Sequence, residues 1–311
     1  RIGSGIQFCE SLQKRAGPDA QVGCMMRPTT LKMSQGPQEA EGVAALAAQL
    51  DEDGVAFVPP PGENREETLR RFLAARQGDV RKAAAFLKED AVWRAAQAID
   101  ELRAQDAAAV LGCDPAILQR VLPAAFGAGC DREGQPLVFK HFGAQCKLRN
   151  LLEHTSVQHL ARYNAWLNEQ LTLCLRDAAA SRWTIVIDAL GWHIGLFDTT
   201  AYSLLRQMSE MDANHYPERL ASLIVINAPP MLAACWRVIR TWLDERTRAK
   251  IDFVSAGKPE HARRRLMQLA DPSQLPRQYG GTGPPLADWP ERSGIPPVAG
   301  SDADSTQSDS Q

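Results

Sequence analysis

The order of apolar and polar positions divides the chain into a helical part and a mixed part. Between residues 66 and 103 apolar side chains recur at helical spacing, and Leu69, Phe72 and Leu73 fall on one face. Asp79 is placed to cap the second stretch of this pattern. The pattern predicts a small helical bundle, which is too small to fold alone.

After residue 136 the pattern alternates between strand and helix. The predicted order is strand from 136, helix 155–179, strand 183–188, helix 199–214, strand 221–227, helix 229–243 and strand 251–254. The runs 183–188 and 221–227 are continuously apolar, which is typical of strands buried on both faces of a sheet. The sequence therefore predicts an α/β fold, with a mixed, largely parallel sheet and crossover helices.

Both ends of the chain lack this periodicity. For residues 1–62 the sequence predicts a flexible lead that contains a short helix at 40–50. The proline run at 59–61 interrupts the chain near the end of this lead. Residues 284–311 are rich in Pro, Gly, Ser and Asp and predict a disordered tail. The folded part is expected between these segments.

Composition and charge exclude several classes of protein. A formal net charge of −2 argues against a protein built to bind nucleic acid. No apolar run is long enough to cross a bilayer. The seven cysteines form no C-x-x-C pair and the six histidines show no ligand spacing, so we expect reduced cysteines, no metal and a cytoplasmic location.

The motifs of the common α/β enzymes are absent. No predicted strand is followed by G-x-G-x-x-G, and neither a Walker A loop nor a G-x-S-x-G elbow occurs. Asp188 ends a predicted strand, where a carboxylate is either catalytic or a turn residue. Because no base or nucleophile is paired with it in the sequence, the turn role is favoured and the chain is not expected to be an enzyme.

The helix at 229–243 has a continuous apolar stripe, with two basic residues, Arg237 and Arg240, off it and Trp242 near its boundary. The stripe consists of Leu232, Trp236, Ile239 and Leu243. One interpretation is an ordinary amphipathic helix that covers the sheet. The other is a mobile lid that seals a cavity when closed and meets a membrane when open, since tryptophan beside arginine suits the membrane interface.

The charge around this helix is locally basic. Residues 230–265 contain nine basic and four acidic side chains, within a chain that is negative overall. Each basic group near an anionic bilayer contributes about 1 kcal/mol to binding. A solvated charge run without function is the alternative.

Short motifs follow one another in a fixed order along the folded part of the chain. They are TLRRFLAAR at 68–76, GDV at 78–80, AVWR at 91–94, DREGQPLV at 131–138, IDALG at 187–191, YPER at 216–219, INAP at 226–229 and LPRQYGG at 275–281. This ordered set resembles the CRAL-TRIO family, and most closely its Sec-fourteen-like phosphatidylinositol transfer branch. The resemblance implies a CRAL-TRIO helical unit at 63–115 and a lipid-binding domain at 116–283. It also implies an apolar lipid cavity under a gate helix, which favours the lid interpretation of 229–243.

The resemblance also implies a site for the inositol phosphate headgroup. The family's positions fall on Arg76, Glu218, Thr247 and Lys250, and all four residue types are retained. A guanidinium and an ammonium suit phosphate oxygens, while a hydroxyl and a carboxylate suit inositol hydroxyls. Glu218 alternatively pairs with Lys250 and holds it in place.

The family's phosphatidylcholine subsite does not carry over to this chain. Its hydroxyl-bearing positions fall on Trp183, Ile185, Gly127 and Val138. These groups are apolar or absent, so the resemblance implies a more apolar or differently headed second lipid, or none.

The expected function is a monomeric carrier that holds phosphatidylinositol, needs no cofactor and associates transiently with anionic membranes. It exchanges the lipid with membranes or presents it to a lipid kinase or a trafficking protein. Two alternatives stay open at this point: a lipid-sensing module without transfer activity, and a carrier of another hydrophobic ligand.

Overall fold

A computed structural model describes residues 37–177 and 180–286, so most of the predicted lead and tail lies outside the described residues. A five-stranded sheet with the order β1-β2-β3-β4-β5 forms its centre. The strands are β1 (Ala124–Cys130), β2 (Pro136–His141), β3 (Trp183–Asp188), β4 (Leu220–Ala228) and β5 (Ile251–Ser255). Strand β1 is antiparallel to β2 and the other pairs are parallel, which confirms the predicted fold class.

The helices precede, connect and follow the strands. Before the sheet lie α1 (Pro37–Glu52), α2 (Arg65–Ala75), α3 (Val80–Ala96), α4 (Ile99–Ala104), α5 (Ala107–Leu111) and α6 (Pro115–Val121). Between strands lie α7 (Leu148–Leu152), α8 (Val157–Asp177), α9 (Thr199–His215), α10 (Leu232–Ile239) and α11 (Glu245–Ala249), and α12 (Pro259–Leu269) follows β5.

The order of the strands decides on which side the helices lie. From β2 to β5 each parallel strand is added next to the one before it, in one direction. Right-handed crossovers then place all connecting helices on the same face of the sheet. The contacts agree, because Leu171 of α8 packs against Val138 and Leu232 of α10 packs against Val225, both on that face.

The opposite face, here called the closed face, is sealed by α12 and the segment that follows it. Strand residues on this face are fully buried: Leu137, Phe139, Val186, Ile224 and Ile226. They pack against Ala262, Leu266, Ala270, Leu275 and Tyr279. This layer is the main core of the α/β domain.

The helices before the sheet form a unit with its own small core. Asn64 and Glu67 form a capping box at the start of α2, and Asp79 caps α3 as predicted. The short helix predicted at 40–50 is α1, and its Leu46 and Leu50 are fully buried between α2 and α3. The helical unit therefore begins before residue 63.

Two buried carboxylates fasten the helical unit to the α/β domain. Glu63 accepts from Arg71 at 2.7 Å and pairs with Arg219 at 2.6 Å, and Arg71 also donates to the Pro217 carbonyl. On the other side of the interface, the fully buried Glu169 of α8 is held by arginines from α3 and α4 and by a tyrosine hydroxyl. Its partners are Arg94 at 2.9 Å, Arg103 at 2.9 Å and Tyr216 at 3.0 Å. Because removal of one partner strands a buried charge, these pairs fix the geometry of the interface.

Some elements differ from the sequence-based expectation. The helix predicted at 229–243 is shorter, since α10 begins at Leu232 and ends at Ile239. Thr241, beyond its end, donates its hydroxyl proton to the Val238 carbonyl. Strand β1 was not predicted, since its sequence AAFGAGC lacks the β-branched residues typical of strands. Helices α5, α6, α7, α11 and α12 were not predicted either.

Candidate lipid site

The sheet face toward the connecting helices is only partly covered, and we call it the open face. Ile185 and Ile187 lie on it in the central strand β3, yet both are only half-buried. Between them Val186 points to the closed face and is fully buried. Leu223 and Phe253 continue the open face on β4 and β5, and they too are half-buried. Apolar side chains in the middle of a sheet thus border accessible space.

The helices on the open face do not cover all of it equally. Helix α8 covers the lower part of β2 and β3, meaning the end at which β3 begins, where Leu171 and Leu175 contact Val138 and Trp183. Helix α9 packs mainly against α8, with Leu204 in contact with Leu160. The upper part of β3 and β4 is covered instead by α10, whose Leu232 belongs to a small apolar cluster with Val225 and Ile187. Ile187 and Leu223 stay half-buried there, and we call this apolar surface beneath α10 the apolar floor.

Helix α10 lies over the end of the open face, with its apolar stripe turned inward. Leu232 packs against Val225, and the Trp236 ring lies 5.1 Å from that of Phe253. Ile239 is half-buried like these two. The stripe therefore faces the sheet, as the amphipathic pattern predicts.

The outward side of α10 and the turn after it carry the other predicted contact residues. Arg237 and Arg240 are exposed, and Val238 between them is 44% exposed. Trp242 lies beyond the helix end, where its ring is 4.8 Å from that of Tyr202, and Leu243 follows half-buried in the same turn. Tryptophan, valine and arginine on one outward surface suit contact with a membrane interface.

The four predicted headgroup residues gather around α11. Glu218 accepts from the Lys250 ammonium at 3.0 Å, so the predicted alternative pairing of these two residues is present. Glu218 has φ of 57° in the turn before β4, a conformation that is uncommon outside glycine and worth attention at a candidate site. Lys250 follows the last turn of α11 directly.

Thr247 and Arg76 are connected to this group through Asp244. The Thr247 hydroxyl donates to Asp244 Oδ2 at 2.6 Å, and Asp244 also caps α11. Arg76 stacks over the Phe86 ring at 3.5 Å, and burial lowers the pKa of its guanidinium, while Glu89 and Asp244 act against that effect. Asp244 thus lies within electrostatic reach of Arg76 and in direct contact with Thr247.

Two further arginines belong to this group and were not predicted as site residues. Arg246 lies 3.4 Å from Glu218 and also donates to the Ala74 carbonyl of α2, while Arg182 lies 4.0 Å from Glu218. Only the basic run near 250 hinted at Arg246. With Arg76 and Lys250 they make four cations around Glu218 and Asp244, so the cluster is basic.

The positions that lack the phosphatidylcholine hydroxyls lie on the lower open face and the adjoining edge. Val138 is fully buried and Trp183 is 5% exposed, both packed under α8. Ile185 is half-buried beside them, and Gly127 lies in β1. No hydroxyl is supplied from these four positions.

Asp188 has the turn role that the sequence favoured. Its Oδ1 accepts from the Leu190 amide and from Asn227 Nδ2, and the Tyr279 hydroxyl donates to Oδ2 at 3.3 Å. Burial raises the pKa of this carboxyl to about 6, and the three hydrogen bonds offset part of that rise. These bonds join the ends of β3 and β4 to the segment after α12.

Within the part of the chain that the structure describes, two more features bear on the class of protein. No helix there is both long and apolar enough to cross a membrane. No group of three or more His, Cys, Asp or Glu side chains there is arranged to hold a metal ion.

The geometry thus defines an α/β domain with an apolar floor, a short covering helix and a basic cluster beside a docked helical unit. The CRAL/TRIO domain family matches residues 124–281, which is half of the chain. The chain belongs to the CRAL/TRIO family, and the resemblance seen in the ordered motifs, including its Sec-fourteen-like branch, is confirmed.

Several curated proteins and one solved structure are similar to the chain. "Protein real-time" of Anopheles gambiae is 26% identical over 74% of this chain and 33% of its own length. "Phosphatidylinositol/phosphatidylcholine transfer protein SFH9" of Arabidopsis thaliana is 28% identical over 71% of this chain and 38% of its own. The protein named SFH11 from the same plant is 28% identical over 81% of this chain and 66% of its own length. The chain therefore spans a third to two thirds of the length of these relatives.

The crystal structure of Sfh5 shares the fold. It aligns with a TM-score of 0.54 at 15% identity, over 73% of this chain and 83% of that one.

Proposed function

We propose that the protein is a non-catalytic carrier of phosphatidylinositol. The headgroup binds at Arg76, Glu218, Thr247 and Lys250, and the acyl chains lie along the open face beneath α10. The carrier exchanges its lipid with membranes or presents it to a lipid kinase. It acts as a cytoplasmic monomer that touches anionic membranes transiently.

The observation that carries this proposal is the incomplete cover of the open face. Half-buried Ile185, Ile187 and Leu223 in central strands provide apolar surface that acyl chains can cover. Burial of apolar area stabilises by roughly 25 cal/mol per Å2, which offsets the cost of removing a lipid from a bilayer.

The basic cluster supports the choice of headgroup. A phosphate on inositol is an anion surrounded by hydroxyls, and the cluster offers cations together with carboxylate acceptors. The names of SFH9 and SFH11 assign phosphatidylinositol transfer to those relatives, in agreement with this choice.

A vesicle-transfer assay with a double variant tests the headgroup assignment. Arg76→Ala with Lys250→Ala should lower phosphatidylinositol transfer by at least about tenfold, because each lost charged hydrogen bond contributes about 1.5–3 kcal/mol. The matched control is Lys258→Ala with Arg264→Ala, which removes the same charge from exposed positions next to β5. Equal transfer by the two double variants would contradict the assignment.

A lipid-sensing module is the second candidate. Helix α10 packs on the sheet, with Trp236 against Phe253. This closed position favours a state that holds lipid over one that releases it. Protein that binds phosphatidylinositol stoichiometrically but moves none between vesicles would favour this candidate.

A further inference from the structure

A single lysine lies on the open face among apolar side chains. In β2 the flanking Phe139 and His141 are buried on the closed face, at 0% and 4% exposure. Val138 packs under α8, so Lys140, two residues further along, points to the same side. Its neighbour across the parallel ladder is Ile187, part of the apolar floor.

A polar cluster faces this lysine from the covering helices. On α8, two asparagines lie between the apolar residues Leu160 and Leu171 at helical spacing. Asn164 and Asn168 each donate to Oδ1 of Asp212 on α9, both at 2.8 Å. The amides thereby hold the Asp212 carboxylate in one orientation.

Lys140 and Asp212 both keep accessible surface although the surrounding protein desolvates them. Lys140 is half-buried and Asp212 is exposed by accessible area. Burial nevertheless lowers the pKa of Lys140 and raises that of Asp212, and each charge partly offsets the shift of the other. Lys140 lies beside Ile187 in the strand register, so the accessible surface that it keeps borders the space above the apolar floor.

Neither charge is fully satisfied by the protein. Among the described residues no carboxylate forms an ion pair with Lys140, and Asp212 acts on it from a greater distance. Both asparagine bonds reach the same oxygen of Asp212, so Oδ2 stays available on the described chain. A desolvated ammonium without a close partner is costly, and an anionic ligand group beside it would offset that cost.

We propose that Lys140 and Asp212 bind the headgroup of a second class of phospholipid, distinct from phosphatidylinositol, whose small headgroup carries a phosphate and one amine or glycerol donor. The phosphate accepts from Lys140, and a primary amine or a hydroxyl of the headgroup donates to Asp212 Oδ2. The acyl chains lie on the floor formed by Ile185 and Ile187. This inference rests on the proposed carrier function and names its second lipid.

The same chemistry disfavours phosphatidylcholine. Its quaternary ammonium has no N–H or O–H and cannot donate to Asp212. The hydroxyl-free positions Val138, Trp183 and Ile185 beside the cluster offer no other polar support.

Lipid extraction from mixed vesicles, read by native mass spectrometry, tests the proposal on the full chain. Three vesicle types consist of phosphatidylcholine in excess, each with the same minor share of phosphatidylethanolamine, phosphatidylglycerol or phosphatidylinositol. Wild-type protein should take phosphatidylethanolamine or phosphatidylglycerol in preference to the excess phosphatidylcholine, and the two arms separate the amine from the hydroxyl.

Variants then assign the effect to the cluster. Lys140→Met should lower capture of the donor-bearing lipid about tenfold or more, and Asp212→Asn should lower it several-fold. Phosphatidylinositol capture should be unchanged in both. Lys258→Met and Glu210→Gln, on exposed positions of α12's start and of α9, are the matched controls.

The contrary outcomes are distinct. Wild-type protein that captures only phosphatidylinositol would overturn this inference and leave the proposed function standing. Equal capture of the donor-bearing lipid by wild type and Lys140→Met would also overturn it. Protein that captures no lipid from any vesicle would overturn both proposals.

Discussion

The two faces of one sheet differ although the same strands build them. On the closed face, Phe139, Val186 and Ile224 have no exposed surface and contact α12 and the segment after it. On the open face, Ile185 and Ile187 are equally apolar but half-buried. Hydrophobicity alone therefore does not decide burial; the position of the covering helices does.

The largest expected difference between the faces is in stability. Phe139→Ala should lower the free energy of unfolding by about 3–5 kcal/mol, because it opens a cavity against the stacked ring of Tyr279. Ile187→Ala on the open face should cost about 1 kcal/mol, since its surroundings already include accessible space. Urea denaturation measures both, and equal losses would show that the open face is packed in solution.

A second difference concerns a buried charge on the closed side. The pKa of Asp188 is raised to about 6, above its value of about 4 in the unfolded chain, so folding favours the protonated form. Its contribution to stability is full below about pH 4 and is lost as the pH rises through 6.

Asp188→Asn removes this ionisation while keeping an acceptor for Leu190 and Asn227. Between pH 4.5 and 7.5 the stability of wild type relative to the variant should fall by roughly 2 kcal/mol. His141, whose pKa burial lowers to about 4, is present in both proteins and drops out of the difference. A difference in unfolding free energy that stays constant with pH would contradict the raised pKa.

A third experiment fills the open face. Ile187→Trp should lower lipid uptake about tenfold, since the indole occupies space proposed for acyl chains, while the unfolding free energy changes by about 1 kcal/mol. Ile187→Val is the control, because it removes a methyl group at the same position and does not fill the space above the sheet. Retained uptake in the tryptophan variant would place the acyl chains elsewhere.

The smallest effect is expected on the outward side of α10, the cover of the open face. Val238→Ser should weaken sedimentation with anionic vesicles a few-fold and leave stability within about 0.5 kcal/mol. Val92 on α3 is 70% exposed, against 44% for Val238, so Val92→Ser is the matched control. An equal effect of both variants would remove α10 from the membrane contact.

The sequence predicted the parts of the fold that carry a strong local pattern. The bounds of β3 agree with the apolar run 183–188, and α9 begins at the predicted residue 199. Strand β1 escaped prediction because its small residues depend on pairing with β2 rather than on their own preference. The end of α10 at Ile239 was not predicted, because the apolar stripe in the sequence continues to Leu243.

The candidate site was predictable only where motifs mark it. Glu218 and Lys250 are identified by the resemblance, and the fold brings them into contact. Arg182 joins them from the start of β3, a neighbourhood that only the folded chain creates. Lys140 reads in sequence as an ordinary strand lysine, and its position opposite Asp212 requires the packing of α9 on α8.

The contacts of Glu63 with Arg71 and Arg219 have a thermodynamic consequence for the proposed headgroup site. Arg71 of α2 also donates to the carbonyl of Pro217, next to Glu218, so these contacts position α2 and with it Arg76 at its end. A headgroup held by Arg76 and Lys250 together would bridge the helical unit and the α/β domain. A ligand that binds only the docked arrangement stabilises it by mass action. The free energy needed to separate the helical unit from the α/β domain would therefore be higher with lipid bound than without it.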